Sequence, residues 1–253
     1  MLASAPILLK KNSLYVWQVV WEEYIDYKAY FWRILSLEEK NRAAKRLRAI
    51  NTHQFIVTRG LLRVAIGYLL GQAPHAVKFI YTMGQKPEIV NTKGLAFNIS
   101  HTSNKALYAF SLHTQIGIDI EDMSRKLGIE RLAIRYFSTQ ENIQLASFPD
   151  LLKRKAFFKG WTQKEAITKA YGLGLQMPFH QIEVNIKHGS PRLVKMHNPA
   201  LKHLQFLLYP IEVAKDYYAV IAAQTKQKKL DVFCMDSIFH LSLIKIISSS
   251  SGV

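Results

Sequence analysis

Gly117-Ile118-Asp119-Ile120-Glu121 alternates apolar and acidic residues with a period of two, which predicts a strand. On it Asp119 and Glu121 project from one face, Ile118 and Ile120 from the other. About forty residues later, Trp161-Thr162-Gln163-Lys164-Glu165-Ala166-Ile167-Thr168-Lys169 predicts a helix. Trp161, Glu165 and Lys169 recur every four residues along one of its sides. Three carboxylates beside a lysine have the chemistry to hold a hard divalent cation and a phosphate-rich ligand. Plainer readings stand beside this one. Asp119 and Glu121 also fit the exposed face of an edge strand, Glu165 and Lys169 a solvent-facing ion pair, and Trp161 the core.

Outward from these stretches, residues 14–21 (LYVWQVVW) predict a buried first strand. Ser36 and Glu39 have the spacing of a capping box that opens a basic helix running to about Ile50. Its Lys40, Arg42, Lys45, Arg46 and Arg48 read as a solvated face or as a surface turned toward an anion. Asn51 is placed to cap a second helix ending at Gly71, with Phe55, Leu62, Ile66 and Leu69 on its core face. Arg59 and Arg63, four apart on another face, can act jointly on an anion. Tyr81 to Pro87 (YTMGQKP) reads as a turn. Residues 95–100 and 106–111 predict two strands around the polar turn 101–105, and the Gly117 strand follows at once, so an antiparallel meander is expected.

Ser138 and Glu141 form a second capping-box pair, which already accounts for Glu141. Asp150 is placed to cap a long helix from Leu151 to Tyr171, stopped by Gly172. Residues 182–186, 204–208 and 217–222 predict a second antiparallel sheet. The order β, αα, βββ, αα, βββ points to two similar halves, although no residue-level repeat is evident.

The chain has 253 residues, 49% of them hydrophobic, enough for one large domain or two small ones. Lys and Arg number 34 against 18 acids, a formal charge of +16. Such a surface favours nucleic acid, a membrane surface, an acidic protein or a polyanionic small molecule. Cys234 stands alone, which excludes an internal disulfide and fits a reducing compartment. The apolar run Leu2–Leu9 precedes Lys10 and Lys11, the wrong polarity for a signal peptide, and it is too short to span a bilayer. Ile238–Ile247 is interrupted by His240 and Lys245. A soluble cytoplasmic protein is expected, with the lysine-rich stretch after Gln224 and serines 248–251 as an appendage. Ser100-His101 beside Asp119 lacks the surroundings of a serine nucleophile and suits phosphate binding better, as does Lys105.

Phe97-Asn-Ile-Ser-His101, Ile116-Gly-Ile-Asp-Ile-Glu121 and Phe157-Phe-Lys-Gly-Trp-Thr-Gln-Lys-Glu-Ala166, with Lys169, Gly172 and Gly174, resemble the signature of the 4′-phosphopantetheinyl transferases. The type is the larger, surfactin-synthetase-activating one, with two similar halves in one chain. Thr58-Arg-Gly-Leu-Leu-Arg63, Gln85-Lys-Pro87 and Tyr136-Phe-Ser138 with Glu141 extend the resemblance, which covers roughly residues 14–222. It implies an α+β fold of two halves related by pseudo-two-fold symmetry: residues 1–114 for the coenzyme A nucleotide, 115–223 for metal and catalysis, and 224–253 as an extension. It implies Mg²⁺-dependent transfer of the phosphopantetheine arm of coenzyme A to a serine of an apo carrier protein, releasing adenosine 3′,5′-bisphosphate.

The resemblance matches Asp119, Glu121 and Glu165 to the magnesium-binding acids. Ser100, His101 and Lys86 match residues on the coenzyme's nucleotide and 3′-phosphate, and Lys169 matches the lysine on its pyrophosphate. Arg59 and Arg63 belong to the basic N-terminal half and are expected at the coenzyme. Glu165 is the expected base for the carrier serine, with Glu141 ranked below it. Gln54 stands where relatives have an arginine, so a phosphate contact is missing or moved to His53 or Arg59, and Gln85 replaces their glycine, which alters the geometry of that turn. The partners implied are coenzyme A and an acidic carrier protein or carrier domain, with neither nucleic acid nor membrane, and the protein a monomer. Two rivals use the same features: a metal-dependent phosphohydrolase and a non-catalytic basic protein that binds nucleic acid.

Overall fold

The computed structural model describes residues 9–82, 86–90, 94–172, 177–235, 240 and 243–248. Residues 1–8, Gln85, Gly174 and serines 249–251 therefore lie outside the described residues. β1 (Ser13–Val20) is buried along most of its length, as its aromatic and β-branched composition predicts. It pairs antiparallel with β5 (Lys105–Leu112), and β5 with β4 (Leu95–Thr102). Over this sheet lie α1 (Lys28–Ile34), α2 (Leu37–Ala44) and the 22-residue α3 (Ala49–Leu70), sharing one core with it. β2 (Phe79–Tyr81) and β3 (Pro87–Ile89) form a small hairpin where a turn was expected.

The expected three-strand meander does not form. β6 (Gln115–Asp122) leaves β5 and pairs antiparallel with β10 (Tyr217–Gln224), which also pairs with β9 (Phe206–Ile211). Alternation within β6 is the same whichever sheet it joins, so local pattern could not distinguish the two. The sheets are joined by side chains instead of a backbone ladder. Ile118 N–H donates to Asn98 Oδ1 at 2.8 Å and Ile120 N–H to Ser100 Oγ at 3.3 Å. Two donors on the inner edge of β6 are thus satisfied without a paired strand.

α4 (Ile129–Tyr136), α5 (Thr139–Ala146) and the 22-residue α6 (Asp150–Tyr171) cover the second sheet. β7 (Ile182–Val184) pairs with β8 (Leu193–Met196) as a separate hairpin. Both capping boxes form as expected, at Ser36–Glu39 and Ser138–Glu141. Two other caps differ from expectation: Arg48 precedes α3, with Asn51 inside it, and Pro149 precedes α6, with Asp150 as its first residue. Gly71 and Gly172 end the long helices in the left-handed conformation, at φ 67° and 91°, which glycine adopts without a Cβ penalty.

Each capping glutamate also neutralises a buried cation. Glu39 Oε2 accepts from Arg63 Nε at 2.7 Å, while Arg63 Nη1 donates to the carbonyl of Val77. Arg63 is 2% exposed and engaged by these partners, which makes it part of the core. Glu141 is 0% exposed, ion-paired to Lys164 at 2.7 Å and accepting from Val184 N–H at 2.9 Å. These contacts account for Glu141 as a structural residue, as its capping-box position predicts.

The stretch read as an appendage enters the first half. β11 (Asp231–Cys234) adds a parallel edge strand to β1, and Leu243 and Ile247 are 0% exposed in the same core as β1 and α3. Tyr24 Oη lies 2.8 Å from His240 Nδ1. Among the described residues no helix is long and apolar enough to cross a membrane.

Candidate active site

A cavity of about 380 Å³ lies between the α2–α3 side of the first half and the β6–α6 side of the second. Arg42, Arg46 and Arg59 line one wall, Asp119, Glu121, Glu165 and Lys169 the other, with Ser100 and His101 between them. β6 delivers its two acids to the α6 face because Gly117 brings the elements unusually close. A Cβ at Gly117 would stand 2.1 Å from Ala166 O and 2.3 Å from Ala170 N. The four-residue spacing on α6 then sets Glu165 and Lys169 into the same space, with Trp161 one turn earlier.

Asp119 is 3% exposed. Its Oδ1 accepts from Lys169 Nζ at 2.6 Å and from Ser100 Oγ at 2.9 Å, whereas its buried Oδ2 has no partner among the described residues. Glu121 Oε1 accepts from Trp161 Nε1 at 3.1 Å, and Oε2 meets Arg125 Nη1 at 2.9 Å. Burial, and next the charge of Asp119, pushes the Glu121 carboxyl up to about 7. Burial likewise pushes Glu165 up to about 7, the attraction of Lys169 being opposed by the repulsion of Asp119. Burial draws Lys169 down, but Asp119 and Glu165 more than offset it and hold the ammonium above its ordinary value. Although His101 as a residue is exposed, enclosure of its ring, together with the cations of Lys169 and Arg46, holds it down at about 4, so it is neutral at pH 7.

The donor chemistry fits a hard cation. The set is all oxygen, one buried carboxylate oxygen is unpartnered among the described residues, and two neighbouring carboxyls resist ionisation because they are buried beside Asp119. Among the described residues, however, no three acidic, histidine or cysteine side chains converge to coordination distance. Lys169 stands on Asp119, and Trp161 and Arg125 hold Glu121.

Of the residues anticipated from sequence, the cavity gathers Asp119, Glu121, Glu165, Lys169, Ser100, His101 and Arg59. Arg59 is itself tied down, 3.0 Å from Glu39 Oε1 and donating to Tyr81 Oη at 2.7 Å. Lys86 is not presented to the cavity. Its Nζ donates to the carbonyls of Ile116 at 3.1 Å and Ala170 at 3.4 Å, and burial lowers it to about 8. Its neighbour Pro87 does line the cavity. Gln54 turns away as well, donating to Ser103 O at 3.0 Å. Lys105 lies over the Tyr217 ring, outside the cavity lining.

Arg42 and Arg46 turn the anion-facing alternative for the basic segment into a wall of the cavity, stacked over Tyr81 and Phe55 at 3.6 and 4.5 Å. Their four-residue spacing was visible in sequence. Arg125 was missed, because nothing periodic connects a loop residue to the carboxylate at the end of β6.

A sequence model of the 4′-phosphopantetheinyl transferase superfamily matches residues 115–222. The chain is 34% identical over 188 residues to the 4′-phosphopantetheinyl transferase HetI of Nostoc sp., spanning 73% of this chain and 79% of that protein. It is 31% identical over 169 residues to a 4′-phosphopantetheinyl transferase of Bacillus subtilis, spanning 65% and 74%. Among solved structures it matches a holo-(acyl-carrier-protein) synthase from Bacillus anthracis in complex with CoA (3′,5′-ADP), at 22% identity and a TM-score of 0.36, over 44% of this chain and 94% of that one. The chain belongs to the 4′-phosphopantetheinyl transferase family, enzymes that move phosphopantetheine from coenzyme A to a carrier protein.

Proposed function

We propose that the protein is a Mg²⁺-dependent transferase that places the phosphopantetheine arm on a serine of an apo carrier protein and releases adenosine 3′,5′-bisphosphate. The observation that carries this reading is the cavity itself, which sets three carboxylates and Lys169 opposite an arginine wall. Asp119, Glu121 and Glu165 would hold the cation, the open Oδ2 of Asp119 being the oxygen best placed to accept it. A bound Mg²⁺ supplies positive charge to the pyrophosphate, which lowers the barrier to phosphoryl transfer.

The chain's own residues do the rest. Arg42, Arg46 and neutral His101 bind the nucleotide end and its phosphates. Glu165, directly or through water, takes the proton from the serine Oγ as that oxygen attacks the pantetheine-side phosphorus. The bond from that phosphorus to the bridging oxygen breaks, and Lys169 Nζ donates to the departing phosphate. One phosphoester forms and one phosphoanhydride is lost, with the serine proton on Glu165.

The same reading divides the chain at 114/115 into two halves related by a pseudo-two-fold axis, working as a cytoplasmic monomer. The paired ion contacts support it. Arg63 and Lys164 each stand eight residues before a left-handed terminal glycine, and each meets the glutamate of a capping box. Residues 224–253 would then be an extension that completes the first half's sheet.

Incubation with Mg²⁺, coenzyme A and apo carrier proteins should add about 340 Da to the carrier serine, read by intact mass. Asp119→Ala and Glu165→Ala should abolish that gain with the fold intact. Failure of the unaltered protein on fatty-acid, polyketide and peptide-synthetase carriers would overturn the assignment, and hydrolysis of coenzyme A without transfer would favour the phosphohydrolase.

A further inference from the structure

A second cavity, of about 450 Å³, lies in the second half and shares no lining residue with the candidate active site. Phe148, Leu152, Ala156, Ile186, Pro210 and Tyr218 supply its apolar walls. Among the described residues no acidic side chain lines it, and its charged rim is basic: Lys155, Lys159 and Lys187, with His188 beside them. Lys159 serves the architecture, since its Nζ donates to the carbonyls of Lys187 and Gly189 and so fixes the turn that forms one wall. Lys155, Lys187 and His188 remain exposed around the opening, and Leu151 and Leu152 beside it are 94% and 39% exposed. An apolar recess ringed by one sign of charge is complementary to an apolar side chain presented from an acidic protein surface.

Its position connects it to the chemistry. Tyr218 lies directly opposite Glu121 in the β6–β10 register, and opposed residues of antiparallel strands share a face. The cavity therefore begins one strand away from a site carboxylate. Along α6, Lys159 precedes Glu165 by six residues, a rise of about 9 Å. A small protein seated here has its own surface within reach of the active-site cavity.

We propose that this cavity is the docking point for the carrier protein, which inserts an apolar side chain while its acids meet Lys155, Lys187 and His188. The proposal rests on the transferase reading above and adds where the protein substrate is held. The competing occupant is a small anionic amphiphile such as a fatty acid.

The test uses the full chain with Leu152→Asp, Lys155→Glu and the double variant Lys155→Glu/Lys187→Glu, none of which touches the catalytic cavity. Carrier and coenzyme A are varied separately, and calorimetry with coenzyme A confirms that the nucleotide site stands. The expected result is a KM for the carrier raised about tenfold or more, with kcat and the KM for coenzyme A within twofold. The salt dependence of the carrier KM should flatten in the double variant. A carrier KM within twofold of wild type in all three variants overturns the proposal. So does a parallel rise in both KM values, or saturable oleate binding in the recess that leaves carrier KM unchanged. Absence of transfer by the unaltered protein would instead sink the proposed function, and the docking point with it.

Discussion

Gly117→Ala is the smallest change that should part β6 from α6, the two elements that carry the acidic wall of the active site. Gly117 has no positive φ to excuse it, so the consequence is purely steric. The new Cβ would lie 2.1 Å from Ala166 O, whereas ordinary contact begins at 3.4 Å, so the α6 backbone must retreat by about 1.3 Å. The clashing atoms are backbone, which cannot rotate away as a side chain can. The cost should reach the upper end of overpacking, about 3 kcal/mol. The same displacement carries Glu165 and Lys169 away from Asp119, and about 1 Å of misplacement lowers turnover roughly 100-fold. Urea unfolding and steady-state transfer on the same preparation read both effects. A Gly117→Ala protein with wild-type stability and turnover would refute the claim that this close approach assembles the site.

Glu141→Gln should lose about 3–5 kcal/mol by stranding the charge of Lys164, 0% exposed, yet keep its specific activity per folded molecule. A loss of turnover at unchanged stability would place Glu141 in the chemistry. Lys86, at about 8 in the folded protein against 10.5 ordinarily, binds fewer protons folded than unfolded between those values, so stability should rise with pH across that window. In Lys86→Met that rise should shrink, and equal slopes in urea titrations from pH 8 to 10.5 would contradict the burial of its charge. Deleting residues 231–253 removes an edge strand and the buried Leu243 and Ile247, whose side chains alone account for about 3–6 kcal/mol. A truncated protein that unfolds at the same urea concentration would show that the tail is not part of the core.

Much of the site was legible because period and chemistry coincide. Alternation put Asp119 and Glu121 on one face of β6, the four-residue spacing aligned Glu165 with Lys169, and both capping boxes formed where Ser and Glu stand three apart. What failed is what spacing does not encode. Arg63 and Lys86 carry the charge a phosphate needs, but a buried carboxylate took one and backbone carbonyls the other. Neither partner lies near in sequence. Strand β6 changed sheet because Asn98 and Ser100 satisfy its inner donors through side chains, a substitution for pairing that residue patterning cannot register. Arg63 and Lys164 differ in letter, yet each meets the glutamate of a capping box, a likeness that residue identity does not register.

The return of the chain to its own beginning has a consequence during synthesis. Ser13 of β1 pairs with Asp231 of β11, and the first half's core is closed by Leu243 and Ile247. As the polypeptide leaves the ribosome, the first half can collapse but lacks an edge strand and two core side chains until residues 231–247 are out. The second half, from β6 to β10, closes its own sheet earlier. The half made first is therefore finished last, and for that interval the outer edge of β1 is an unpaired strand open to any neighbouring chain.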